Sequence, residues 1–204
     1  MTAVHEERHG DYVIEIHIDG DPFSPRDDDN TSTMVCFHKR YNLGDKHSYN
    51  EKDYASWGEL YDAIEADDKP ILIRPLYMYD HSGLAFRMGT GFNDIDSGGW
   101  DWGQVGWIYV SKDSFDAERP VLSGVMPQTE TEEETLARCL KLMESELETY
   151  AQYVNGEVYG FVISKIEVCS HGDEHREEID SCWGFYGQDY CLQEALACLP
   201  KGQP

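Results

Sequence analysis

The stretch at 129–170, "TETEEETLARCLKLMESELETYAQYVNGEVYGFVISKIEVCS", changes character in its middle. Leu136, Leu140, Met143, Leu147, Tyr150 and Val154 recur at alternating spacings of four and three, which lines one face of an α-helix with apolar side chains. Thr131 and Glu134 form a capping box ahead of it, the glutamates of the first turn suit the positive end of the helix dipole, and Gly156 supplies a stop. After the glycine, "GEVYGFVISKIEVCS" reads as a long strand. A long helix, about 131–155, followed directly by a strand sets the expectation for the whole chain.

Upstream, "DYVIEIHID" places Tyr12, Ile14, Ile16 and Ile18 opposite Glu15 and His17, the period of a half-buried strand. "GDPFSPRDDDN" is a loop by composition, "TMVCFHKRY" a second strand, and "NLGD" a turn. Ser56 with Glu59, and Trp57, Leu60, Tyr61 and Ile64 at helical spacing, predict a short amphipathic helix. "KPILIRPLYMYDHSG" is a strand in which Pro75 marks an edge or a bulge. "VGWIYVSKD" is a further strand, "HGDEHREEID" a charged turn, and "DYCLQEALACLP" a closing helix with Asp189 as N-cap and Pro200 as terminator. The fold expected is a single α+β domain over 1–204, with a mostly antiparallel mixed sheet, the 131–155 helix, and two shorter helices packed on it.

Forty acids against sixteen bases give a net charge of −24 and a pI near 4.4. Direct binding to DNA, RNA or an anionic membrane is disfavoured, because each phosphate contact calls for lysine or arginine, and basic partners are favoured instead. No run approaches the roughly 18 apolar residues of a membrane span, and "MTAVHEERHGDY" has neither the basic nor the apolar region of a signal peptide, so a cytoplasmic protein is expected. The six cysteines are too sparse for a disulfide framework and are expected as free thiols.

Several groups invite a chemical reading. Cys36 and His38 share one face of a strand, yet Cys-x-His lacks the second pair of a zinc signature. Cys169, His171, His175 and Cys182 are four ligands within fourteen residues, in a spacing that matches no common zinc finger or ribbon. "NDIDSGGWD" offers Asp94, Asp96 and Asp101 to a hard cation, but a calcium loop counted from Asn93 would close on Gln104 instead of a glutamate, and a surface turn capped by Asx side chains accounts for the same letters. Asp80, His81 and Ser82 are adjacent, so they cannot meet as a triad on one strand. The glycines of "GTGFNDIDSGG" have no lysine to meet phosphate. Trp100, Trp102, Trp107 and Tyr109 suit either a ligand groove or the core. No catalytic residue, cofactor or bound metal is expected.

The motifs "SPRDDDNTSTMVCFHKRYNLGDKH", "YDHSG", "DWGQVGWIYVS" and "DSCWGFYG", in that order, resemble a family of uncharacterised proteins encoded by tailed bacteriophages. Asp28 stands where that family has an aromatic residue, Ser32 where it has glycine, and Asp101, Trp102 and Gly103 where it has Asp-Ser-Gly. The resemblance implies phage origin and brings no activity. Combined with the charge, it leads to the expectation of a non-enzymatic host-interaction protein. Such a protein would mimic nucleic acid, in anti-defence or anti-restriction, on a basic host protein in the host cytoplasm. The carboxylates expected to carry it are Glu130, Glu132, Glu133, Glu134, Glu144, Glu146, Glu148, Asp173, Glu174, Glu177, Glu178 and Asp180. The alternative is a metal-binding domain or metal-dependent enzyme using the Asp94, Asp96 and Asp101 loop or the Cys169, His171, His175 and Cys182 cluster.

Overall fold

The computed structural model describes residues 2–122 and 131–200. In chain order the elements are β1 (His5–His9), β2 (Tyr12–Ile18), β3 (Ser32–Cys36), α1 (Trp57–Asp68), β4 (Pro70–Asp80), β5 (Leu84–Met88), β6 (Trp102–Ser111), α2 (Lys112–Leu122), α3 (Glu132–Val154), β7 (Val158–Val168), β8 (Glu174–Tyr186) and α4 (Gln188–Cys198). The class is α+β with antiparallel pairing throughout, as expected. The strands form two four-stranded sheets instead of one, β1-β2-β7-β8 and β3-β6-β4-β5. The chain divides into two compact units: Met1–Ser24 with Gln152–Pro204, and Pro25–Ala151. No helix among the described residues is long and apolar enough to cross a membrane.

In the unit formed by the two ends of the chain, α4 covers one face of the sheet. Ile14 pairs with Ile163 and Ile16 with Phe161 across β2 and β7, so one pleat face collects all four beneath Cys191 and Ala195. Each such fully buried aliphatic or aromatic side chain contributes about 1.5–3 kcal/mol. The helix starts two residues earlier than the Asp189 cap predicts. Gly187, at φ 90°, turns the chain out of β8, and its carbonyl accepts from the Cys191 N–H to open the first turn.

The segment 174–180 is strand, not turn. The turn is confined to 169–173, where the Cys169 N–H donates to Asp173 O, the Gly172 N–H donates to Cys169 O, and Gly172 takes φ 90°. Its polar composition masks a strand because β8 is an edge whose residues from Glu174 to Gly184 are exposed, so no apolar alternation is demanded of them.

In the central unit, α1 packs Leu60 and Ile64 on Val35 and Tyr109, with Trp57 and Trp107 alongside. Ser56 accepts from the Glu59 N–H at 3.3 Å, as its capping role requires. Asp68, the last residue of α1, accepts from the hydroxyls of Tyr49 at 2.6 Å and Tyr109 at 2.9 Å, which ties the helix end to the sheet. Burial, reinforced by that carboxylate, raises the pKa of both phenols. β4 is interior, not an edge, but its register against β6 shifts between Leu76 and Tyr77, the irregularity expected beside Pro75. Pro75 is accommodated because its carbonyl accepts from Gly89 just past the end of β5, so its nitrogen faces a side where no strand partner remains.

No periodic signal in the sequence announces α2; Ser111 Oγ accepts from the Ser114 N–H at 3.0 Å and opens it. β3 ends at Cys36, so His38 lies beyond the strand, and Met34, Val35 and Cys36 are all buried. The capping box of α3 is present, with the Glu134 N–H on Thr131 Oγ1 at 3.2 Å and the Thr131 N–H on Glu134 Oε2 at 2.9 Å. Of its predicted stripe, Met143, Leu147 and Tyr150 are buried, joined by Cys139.

Candidate functional site

The loop 24–45 is organised around Arg26, whose side chain is 3% exposed. Its Nε and Nη2 donate to the two oxygens of Asp45 at 2.7 Å each. Nη2 also donates to Ser32 O at 2.7 Å, and Nη1 to Asn30 Oδ1 at 3.1 Å and Glu146 Oε2 at 3.2 Å. Burial opposes the charge on Arg26, but the carboxylates of Asp45 and Glu146 prevail and its pKa is raised. Asp45 accepts from the Met34 N–H at 2.7 Å, and Glu146 from the N–H groups of Thr31 at 2.8 Å and Ser32 at 3.1 Å and from the Ser32 hydroxyl. Burial pushes the Cys36 thiol beside this network up to about 12, with Asp45 adding to the effect. All five Arg26 N–H donors are used and both carboxylates are engaged, so the cluster is architectural.

Glu146 must therefore be removed from the predicted acidic row. It sits on the buried face of α3 and neutralises an arginine, which sequence spacing alone does not reveal.

A second constellation surrounds a cleft of about 290 Å³ lined by His38, Arg40, Met78, Asp80 and residues 100–105. Three of the quoted motifs supply its walls: "VCFHKRY", "YDHSG" and "DWGQVGW". Arg40 Nη2 pairs with Asp80 Oδ2, and the Tyr41 hydroxyl donates to the same oxygen at 3.1 Å. His38 Nδ1 accepts from the N–H groups of Arg40 at 3.3 Å and Tyr41 at 3.2 Å, which leaves Nε2 as the ring's N–H. The Asp80 N–H donates to Asp101 O at 2.7 Å and joins the two walls.

The rim of this cleft is a loop held by Asp96. Its Oδ1 accepts from the Gly98 N–H at 3.0 Å, and its Oδ2 from those of Trp100 at 2.7 Å and Asp101 at 3.1 Å. These bonds, that from Asp101 foremost, hold the Asp96 carboxyl below its ordinary value. Trp102 Nε1 donates to Asp96 O at 2.8 Å. Trp100, by contrast, projects with 89% of its surface exposed.

The two predicted metal groupings do not assemble. Asp96 is taken up by backbone N–H groups, and Asp94 pairs with Arg87 at 2.6 Å, which depresses its pKa, so Asp101 is left alone. Cys169, His171, His175 and Cys182 are strung along a turn and an extended strand. At about 3.3 Å per residue, Cys182 lies roughly 20 Å beyond His175. Among the described residues, no three His, Cys, Asp or Glu side chains cluster as a metal site. Trp107 and Tyr109 belong to the α1 core, and Trp100 and Trp102 to the cleft.

The predicted acidic residues divide by environment. Glu130 lies outside the described residues. Glu132, Glu133, Glu144 and Glu148 are exposed on α3, whereas Glu134 is held by Thr131. On the other unit, Asp173 contacts the Cys169 thiol at 3.8 Å, Glu174 pairs with Arg8 at 3.2 Å, Glu177 stands exposed opposite Lys165, Glu178 accepts from the Ser181 hydroxyl at 3.0 Å and Asp180 from the Ser181 N–H at 2.9 Å. The sequence does not disclose the pairing of Arg40 with Asp80, since forty residues separate them.

No protein-family model, curated protein or solved structure matches the chain.

Proposed function

We propose that the protein is a non-enzymatic, phage-encoded host-interaction protein whose acidic surface engages a basic, nucleic-acid-binding host protein in the host cytoplasm, in the manner of an anti-defence nucleic-acid mimic. The observation that carries this reading is the fate of the positive charge. Among the described residues, Arg8, Arg26, Arg40, Lys46, Arg87, Lys112, Lys165 and Arg176 are already paired with the protein's own acids. Glu132, Glu133, Glu144 and Glu148 meet no cation among the described residues, and an uncompensated field of this sign attracts a surface built for phosphate.

The test is capture from host lysate with and without competing duplex DNA. A basic protein that is retained at low salt and released both by duplex DNA and by rising salt supports the reading. A retained partner indifferent to both overturns it.

A further inference from the structure

We propose that the cleft bounded by Trp100, Asp101, Asp80 and Gln104 is an anchor site for an arginine side chain presented by the basic partner. This rests on the acidic-surface reading and deepens it.

The first support is the balance of hydrogen-bonding groups. Both donors to Asp80 use Oδ2, so Oδ1 is open. The Asp101 carboxylate has no partner among the described residues. Gln104 Nε2 donates to Gly106 O at 3.1 Å, which leaves Oε1 as an acceptor. Three acceptors therefore line a cleft whose one cation, Arg40, is paired with Asp80, so that Asp101 leaves the lining with one net negative charge. Phosphate would be repelled, and a neutral sugar would leave that charge uncompensated. A guanidinium carries five donors, no acceptor and a planar face.

The second support is how Trp100 is held. An exposed tryptophan alone means little, but this one is fixed at its backbone by Asp96 and its indole rests on Gly98. A Cβ on Gly98 would fall 2.5 Å from Trp100 Cδ1 and 2.6 Å from Nε1. The ring is thus presented to solvent on a pre-organised loop, which lowers the ordering cost of binding. A guanidinium stacked on that ring and hydrogen-bonded to Asp101 combines cation–π attraction with a charge-assisted pair.

The test uses the full chain and a capped tetra-arginine peptide, followed by calorimetry and by the Trp100 indole N–H resonance. The peptide should shift that resonance saturably. Trp100→Ala should weaken binding at least tenfold, Trp100→Phe should recover part of it, and Asp101→Asn should weaken it several-fold. Gly98→Ala, which displaces the ring but keeps the tryptophan, should also weaken it. Because Trp100 is exposed, circular dichroism of the variants should match that of the parent. If Glu132→Lys with Glu133→Lys weakens binding but Trp100→Ala does not, the anchor is wrong and the acidic field stands. If Trp100→Ala weakens binding while that reversal and salt do not, the anchor stands without the field. Spermidine or maltotetraose giving the same Trp100 shift at equal affinity would overturn the arginine assignment.

Discussion

Arg26 and Asp45 meet fork to fork, with two parallel bonds of 2.7 Å between the guanidinium and the carboxylate. The other three donors of Arg26 go to Ser32 O, Asn30 Oδ1 and Glu146 Oε2, so all five are used. A loop rich in aspartate is thereby pinned to a strand, a turn and α3 by a single side chain.

Arg26 is shared by Asp45 and Glu146, so removing either carboxylate leaves it the other; what is lost is hydrogen bonding, and the buried donors left unsatisfied cost about 1–3 kcal/mol. Asp45→Ala should therefore lower stability by that amount in urea unfolding, and Glu146→Ala, which also orphans two backbone N–H groups, should be similarly severe. Arg40→Ala, at an exposed pair with Asp80, should cost less than about 1 kcal/mol.

Of the three glutamates that open α3, Glu134 should behave differently from the other two. Glu132→Lys and Glu133→Lys each alter only the interaction with the helix dipole, about 0.3–1 kcal/mol, and should slow association with a basic partner while leaving the melting temperature nearly unchanged. Glu134→Lys also breaks the reciprocal bonds with Thr131 and should cost about 1 kcal/mol of stability, read by thermal unfolding.

Asp96 makes the rim of the cleft sensitive to acid. Its folded pKa lies below the ordinary 3.8, so its stabilisation of the loop is complete above that value and is lost as pH falls through the lower folded one. An acid titration should release the Trp100 and Asp101 amides below pH 3.8, seen as accelerated hydrogen exchange or moved resonances. Asp96→Asn should loosen the same amides at neutral pH.

The six thiols should separate into two classes. Cys36, Cys139 and Cys191 are buried, and burial pushes Cys36 and Cys191 up to about 12, whereas Cys169, Cys182 and Cys198 reach solvent. An aromatic disulfide reagent near pH 8 should titrate three thiols in the native protein and six after denaturation. Fast modification of Cys36 in the folded state would contradict the burial described.

The helices at 57–68 and 132–154 and most of the strands are determined by the sequence itself, because each is specified by neighbours in the chain. Ser56 with Glu59, Thr131 with Glu134, and the Met143, Leu147 and Tyr150 stripe act within one or two turns. β8 escapes such a reading because an exposed edge needs no apolar alternation, and of the two alternatives Pro75 offers, the register shift beside it is present and the edge is not, since its tolerance depends on where β5 stops. The acidic character is likewise plain from composition. Which acids face outward is a tertiary matter: Glu144, Glu146 and Glu148 are alike in sequence, yet only Glu146 turns inward, to an arginine 120 residues away. The cleft is tertiary for the same reason, since Arg40, Asp80 and Asp101 meet only where the walls of the β3-β6-β4-β5 unit converge, and long-range contact of that kind leaves no periodic trace in the chain.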